Sequence, residues 1–346
     1  MGLMSGDKMK NKKSLGIIII GGCLGIIIVL NLLYIRQCET LDKARQENLK
    51  YNGKLSMNGG YEFAVIRKDG SLYYVEGDSG YSKRYRRDEM VDWKDKKFIH
   101  VSIGPIGIFG LCEDGSIMGI TGEAERVKMI EQEVVAWTNI KKIEVGYDYV
   151  LGLKEDGTVV VAGTSQMYPD LTEEVSEWKT IIDIKVADGG AIGLTKEGGI
   201  ALAGVFGIAD KGIEEIKAYD DIMDMAIAWN SIMVVHKNGK VSLAGVIRGT
   251  QRVPAWSNIV QVVSNEMFVA SFYAGLKADG TVVVHGDFRG DVSQLKDIVY
   301  IDAQIGRAIV ALDKNGILHT VDDPRNLTDE REEQDRLRID GYNINQ

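Results

Sequence analysis

Proline, cysteine and histidine are all scarce in this chain, with 4, 3 and 4 copies in 346 residues. So little proline argues against a Pro-rich or low-complexity protein. Cys23, Cys38 and Cys112 fall in an apolar segment, a polar stretch and a predicted strand, without the paired spacing of a zinc site or disulfide framework. His100, His236, His285 and His319 are equally scattered, so no metal site and no cofactor is expected. The G-x-S-x-G elbow, the H-E-x-x-H helix and the phosphate-cradling P-loop are absent as well, and with them the commonest sequence signs of catalysis. Positive charge is short too: the net charge is −9, and residues 1–50 hold eight Lys and Arg against four Asp and Glu, which leaves about −13 for the remainder. Nucleic-acid binding draws much of its affinity from phosphate neutralisation, so an acidic body excludes that partner.

Long hydrophobic runs are limited to one. Residues 15–34, LGIIIIGGCLGIIIVLNLLY, carry no charge and one strongly polar residue, Asn31. At about 1.5 Å per residue they span roughly 30 Å, the thickness of the hydrocarbon layer. A single transmembrane helix is therefore expected over residues 15–35. Lys8, Lys10, Lys12 and Lys13 precede it in a basic, cytoplasmic N-terminal segment of residues 1–14, and the rest of the chain is placed outside the cytoplasm. A lipoprotein-like tetrad, Ile20 to Cys23, offers another anchor, but the sequence stays apolar after Cys23 where lipoproteins usually turn polar. Residues 36–51 are polar and rich in helix formers, and read as a juxtamembrane helix or spacer.

What is abundant is glycine, 40 residues, and it recurs at a period. The clearest unit is residues 137–163, WTNIKKIEVGYDYVLGLKEDGTVVVAG, and units beginning at Trp178, Tyr219 and Trp256 match it column by column, the last with a four-residue insertion. Pairs of an acid or amide with glycine occur at Asp69-Gly70, Asp114-Gly115, Asp156-Gly157, Glu197-Gly198, Asn238-Gly239, Asp279-Gly280 and Asn315-Gly316. The glycines are spaced 45, 42, 41, 41, 41 and 36 residues apart, and the residue four before each is always aliphatic. Two β-rich runs around an Asp-Gly or Asn-Gly pair make a tight hairpin. A small sheet of this kind cannot bury both faces alone, whereas seven arranged radially can. The expected fold is all-β, a seven-bladed β-propeller over residues 52–321.

These units resemble the regulator-of-chromosome-condensation repeat in its bacterial form, W-x-x-I-x-x-I-x-x-G followed by L-x-x-D-G-x-V-x-x-x-G, and the resemblance implies the same seven blades. The first unit departs from it by lacking a leading Trp run, and Tyr219 and Leu295 stand for Trp in the fifth and seventh. Trp93, Trp137, Trp178 and Trp256 recur at blade spacing and are read as structural. Closure of the ring must come from the residues before Leu55 or from the C-terminal segment at Leu337, within a tail of residues 322–346 whose LTDEREEQDR stretch is acidic.

Function is sought on loops held by this scaffold. At one recurring position, just before the central strand of each unit, stand Tyr61, Tyr147, Asp148, Tyr149, Asp188, Trp229, Asn230, Phe268 and Arg307. Aromatics and Arg dominate binding hot spots, so these residues predict a protein-recognition rim. In secreted bacterial members of the family the same loops look like the surface that grips a partner. The first connector, GDSGYSKRYRRDEM, adds a basic and aromatic patch that reads as a solvated turn or a site for anionic groups. The reading is a membrane-tethered binding module and not an enzyme. A cell-wall glycan is the alternative ligand, since exposed Tyr and Trp also stack on sugars. The nucleotide-exchange activity of the family's eukaryotic namesake is not carried over, because a membrane segment and an acidic body contradict its chromatin setting.

Overall fold

A computed structural model of the protein describes the backbone of residues 7–58, 62–75, 93–163, 171–187, 190–204, 208, 210–228, 230–245, 255–265, 272–303, 308–323 and 339–345, with side chains from residue 28 onward. Seven separate three-stranded antiparallel sheets follow one another along the chain, each with its strands in sequence order. Blade 3 is typical: a leading strand Ile140–Val145, a middle strand Tyr149–Lys154 and an outer strand Val159–Gly163. The other leading strands are Leu55–Asn58, Phe98–Gly104, Ile181–Ala187, Ile222–Ala228, Ile259–Ser264 and Ile298–Asp302. Successive leading strands contact one another, and the first contacts the last, so they surround a common axis. This is the propeller that the repeats predict.

The hairpin chemistry is local. Asp156 Oδ1 accepts the N–H of Thr158 at 2.9 Å and its hydroxyl at 2.6 Å, and Gly157 takes φ 82°, a conformation that costs glycine nothing. All but one of these turns then tie their blade to the next, the exception being the Gly115 turn of blade 2. The Gly157 carbonyl accepts the N–H of Ile181, and Gly198, Gly239 and Gly280 do the same for Ile222, Ile259 and Ile298.

A β-bulge at the second residue of the leading strand recurs in blades 2 to 7, as between Ile140 and Lys142. It resets the alternation of side chains. Ile140, Ile143 and Val145 consequently share one face, packed against Phe109 and Leu111 of blade 2, while Lys142 and Glu144 take the other. The glycine of each G-L-x-x-D-G run makes room for the Trp of its own blade: a Cβ at Gly152 would stand 2.7 Å from Trp137, and Gly193 and Gly275 are covered in the same way by Trp178 and Trp256. The tryptophans are structural, as their spacing suggests.

Ring closure uses both ends of the blade array. Blade 1 does have its own leading strand, Leu55–Asn58, so the gap expected there is filled from within the first unit. The C-terminal segment then latches blade 7 to blade 1: Ile344 N–H donates to Gly316 O at 2.8 Å, and Ile344 O accepts from Lys68 N–H at 3.1 Å. Ile344 thus occupies the place that a leading residue takes at the other turns. Ile339 and Ile344 are buried among Leu55, Val65, Leu312 and Leu318, and Tyr342 stacks on Tyr73 with ring centroids 3.9 Å apart.

Helices were not expected inside the propeller, yet among the described residues three connect blades: α2 (Glu125–Val135), α3 (Leu171–Ser176) and α4 (Asp210–Lys217). They pack between neighbouring outer strands through residues such as Ile130, Val134 and Val175. Ahead of the blades runs α1 (Asp7–Leu49), in which the juxtamembrane residues continue the helix without a break. No helix among the described residues is long and apolar enough to cross a membrane. The side chains of residues 15–27, most of the expected span, lie outside that description, and the membrane crossing over residues 15–35 rests on the sequence alone.

A Gly152→Ala substitution should destabilise the protein by about 1–3 kcal/mol through overpacking against Trp137. Gly199→Ala, whose added methyl meets nothing closer than 3.5 Å, should stay within about 0.5 kcal/mol. Removing the latch contact with Ile339→Ala should cost about 2–5 kcal/mol. Urea unfolding of the three variants checks this order.

Candidate functional site

Leading strands run from the face that bears the Asp-Gly turns to the face that bears the rim loops, and the two ends of the axis are built differently. On the turn face, α1 docks. Leu41 is 1% exposed and packs with Val260 and Ile298. Arg45 donates to the Met223 carbonyl, Gln37 donates to Asn258 Oδ1 at 2.8 Å, and Asn48 Nδ2 donates to Gln261 Oε1 at 2.8 Å and to Val299 O at 2.9 Å. The helix end and the residues after it stop the axis on this side. Gly53 continues the plug, with its carbonyl accepting Val101 N–H and the ring of His100 pressed against its Cα. His100 is buried with neither ring nitrogen bonded, and burial, aided by Lys142 and Lys185, lowers it to about 3, so the ring is neutral.

Inside the axis lies a charged cluster. Lys142 Nζ is 3.0 Å from Glu144 Oε1 and 2.5 Å from Asp183 Oδ1, and Lys185 Nζ is 3.8 Å from Glu144 Oε1. Burial opposes ionisation of Asp183, but Lys142 and Lys185 outweigh it and hold this carboxyl below its ordinary range. Burial likewise opposes the charge on Lys185, yet Glu144 and the groups beyond it keep the ammonium well above its usual value. Asp224, toward the plug, is pushed up to about 6 by burial, against the pull of Lys185 and of the Val262 N–H.

On the rim-loop side the axis opens into a cavity of about 40 Å³ lined by Glu144, Lys185, Ser264 and Asp302 with Ala226 and Val263. Asp302 is partly exposed there, and loss of water around its carboxyl raises it to about 7 although Lys185 pulls the other way. Among the described residues no group of three or more His, Cys, Asp and Glu could hold a metal ion.

The rim residues named from the sequence divide. Tyr147 is half-exposed, at 50%, at the tip of the blade 3 loop. Asp148 accepts from Arg126 of α2 at 3.2 Å, so the loop is braced by the inter-blade helix. Asn230 is partly exposed in the matching turn of blade 5. Tyr149 is a correction: it is wholly buried, its hydroxyl 2.9 Å from Ala187 O and 2.7 Å from Gly190 O of blade 4, and it serves as a strut between blades instead of a binding residue. Tyr61, Asp188, Trp229, Phe268 and Arg307 lie outside the described residues, as do the basic connector of residues 77–90 and the acidic LTDEREEQDR stretch. Sequence reasoning missed the axial cluster. Its trace is the polar residues at the third and fifth positions of leading strands: Lys142 and Glu144, Asp183 and Lys185, Asp224, and Asp302.

The raised carboxyl gives a test of this electrostatics. A free aspartate titrates near about 3.9, so the folded chain keeps a proton on Asp302 that the unfolded chain releases. That favours folding at low pH and is lost as pH rises through about 7. The Asp302→Asn variant should melt about 2–4 °C above the parent at pH 8 and level with it near pH 4, followed by circular dichroism; the same offset at both values would contradict it.

No protein-family model matches the chain, and no curated protein does. Solved structures do match. The CRINKLY WD40 ectodomain of the Arabidopsis thaliana receptor kinase ACR4 aligns with a TM-score of 0.56 at 11% identity over 78% of this chain and 94% of that one. The ectodomain of the Physcomitrella patens receptor kinase CR4 aligns with 0.56 at 11% over 78% and 73%. Prp20p of Saccharomyces cerevisiae aligns with 0.51 at 13% over 80% and 83%. At such identities the likeness is one of fold: this chain is built as a β-propeller like these.

Proposed function

We propose that this chain is a regulator-of-chromosome-condensation-type propeller, tethered to a membrane through residues 15–35 with its blades outside the cytoplasm, and that it binds a protein through its rim-loop face. The observation that carries the choice of face is the docking of α1. Leu41, Arg45 and Asn48 occupy the turn face over blades 5 to 7, so an anchor entering there leaves the opposite face directed away from the bilayer. That opposite face carries the exposed Tyr147 and the open end of the axis. Tyrosine supplies a large, amphipathic contact surface at little entropic cost, the property expected of a protein-binding rim. The basic N-terminus ahead of the apolar run supports the orientation. Prp20p, of similar fold, is described with binding properties toward Gsp1p and histones, which accords with a propeller acting as a binding module.

A photo-crosslinking amino acid placed at Tyr147 in the full-length protein should capture a discrete protein species in intact cells, whereas the same probe at Lys196, in a turn of the plugged face, should not. Capture from Lys196 alone would reverse the assignment of faces. Captured material that a muramidase dissolves would replace the protein partner by cell-wall glycan.

A further inference from the structure

Among the described residues the charges along the axis do not balance. Arg45, Lys142 and Lys185 stand against Glu144, Asp183, Asp224 and Asp302. Toward the plug, Arg45 and Lys185 act on Asp224, and Lys142 pairs with Asp183 and Glu144. Asp302 makes no ion pair among the described residues, and it is the carboxylate at the open mouth. It accepts the N–H of Ala303 at 2.9 Å and feels the pull of the Met57 backbone, which leaves carboxylate lone pairs over. Glu144 takes both its lysines through Oε1, and among the described residues no hydrogen-bond donor meets Oε2. Ser264 donates its hydroxyl to Ile227 O at 2.6 Å and keeps its oxygen as an acceptor. Three acceptors thus converge on one small cavity, with one negative charge in excess among the described residues.

We propose that this pocket receives a primary ammonium group, the side-chain head of a lysine presented by the protein that meets the rim, with Asp302 as its counter-ion and Glu144 and Ser264 as its other two acceptors. The three N–H donors of an ammonium match the three acceptors. The cavity, about 40 Å³, holds a head of roughly the size of a water molecule with its last methylene. Ala226 and Val263, contributed to the lining by blades 5 and 6, give that methylene apolar walls. Among the described residues the groups facing Asp302 are Lys185 and Glu144 across the axis, Tyr300 on its own strand, Ser264 of blade 6 and the Met57 backbone of blade 1. Lys185 is engaged by Glu144, so an arriving cation brings the missing charge to Asp302 and displaces its proton to solvent.

The inference rests on the rim-loop face as the binding face, and its test is independent of any partner. Full-length protein in detergent is titrated with n-butylammonium, with n-butanol as the neutral control, by calorimetry at pH 6 and pH 8. Saturable binding of the amine alone is expected, about tenfold tighter at pH 8, as ionisation of one group titrating near 7 requires. Asp302→Asn should abolish both the binding and its pH dependence. Ser264→Ala should weaken binding severalfold, which keeps the test decisive should the Asp302 variant fold poorly. No saturable heat, equal binding of n-butanol, or an affinity unchanged in both variants would overturn the pocket assignment. Should amine binding persist while crosslinking at Tyr147 fails, the pocket stands and the protein-binding reading falls; the reverse result removes only the pocket.

Discussion

Backbone N–H groups on the axial edge of each leading strand have no neighbouring strand to receive them, and the centre of the molecule is organised by how they are satisfied. A buried, unpaired N–H costs free energy comparable to a lost hydrogen bond. Here the side chains of the preceding blade supply the acceptors: Ser56 takes Ile103 N–H, Ser102 takes Val145 N–H, Asp224 takes Val262 N–H and Gln261 takes Ile301 N–H. In blades 4 and 7, Asp183 and Asp302 instead take the N–H of the residue that follows them. Polar residues at the axis are therefore a structural requirement of the ring, and where they are carboxylates a buried charge comes with them. The lysines are the response to that charge, since an ion left unpaired in such a place is far more costly than a pair.

The bulge makes this arrangement compatible with a packed core. Plain alternation would put the leading Ile and the residue two positions on to the same side of the sheet. With the register slip, Ile140, Ile143 and Val145 seal the contact with blade 2 while Lys142 and Glu144 turn to the axis. The I-x-x-I spacing of the repeat is the imprint of that slip. Closure obeys the same economy: the chain ends in a segment whose Ile344 repeats the turn-to-turn hydrogen bonds of the blades without adding a strand to the count.

Features set by local chemistry could be read from the sequence, and features set by neighbours in space could not. The Asp-Gly turns, the aliphatic residue before each and the blade-spaced Trp gave blade number and hairpin register, because each follows from residues a few positions apart. Helix α2 was hidden although Ile130 and Val134 lie one turn apart, since its apolar side is narrow and its fit depends on the outer strands of two blades. Tyr147 and Tyr149 looked equivalent, being in one loop; the start of the middle strand decides that the first is exposed and the second buried. The axial cluster was unreadable as a site because its members come from strands some 40 residues or more apart in sequence and face one another only when the ring closes.

The sequence also suggests a boundary between a connector ending at residue 51 and a propeller beginning at residue 52, and the packing does not respect it. Leu41 belongs to the hydrophobic cluster of blades 6 and 7, and Asn48 joins Gln261 to the Val299 carbonyl, bridging two leading strands from within the helix. Arg45 places a cation beside Asp224. The last turns of α1 therefore contribute apolar contact, hydrogen bonds and charge to the same centre that the blades build together. The two ends of the axis differ for this reason: one receives its cation from the chain's own helix, and the other, at Asp302, has no ion pair among the described residues. A symmetric ring of repeats has acquired a closed end and an open one, and the open end is where Asp302 stands without an ion pair among the described residues.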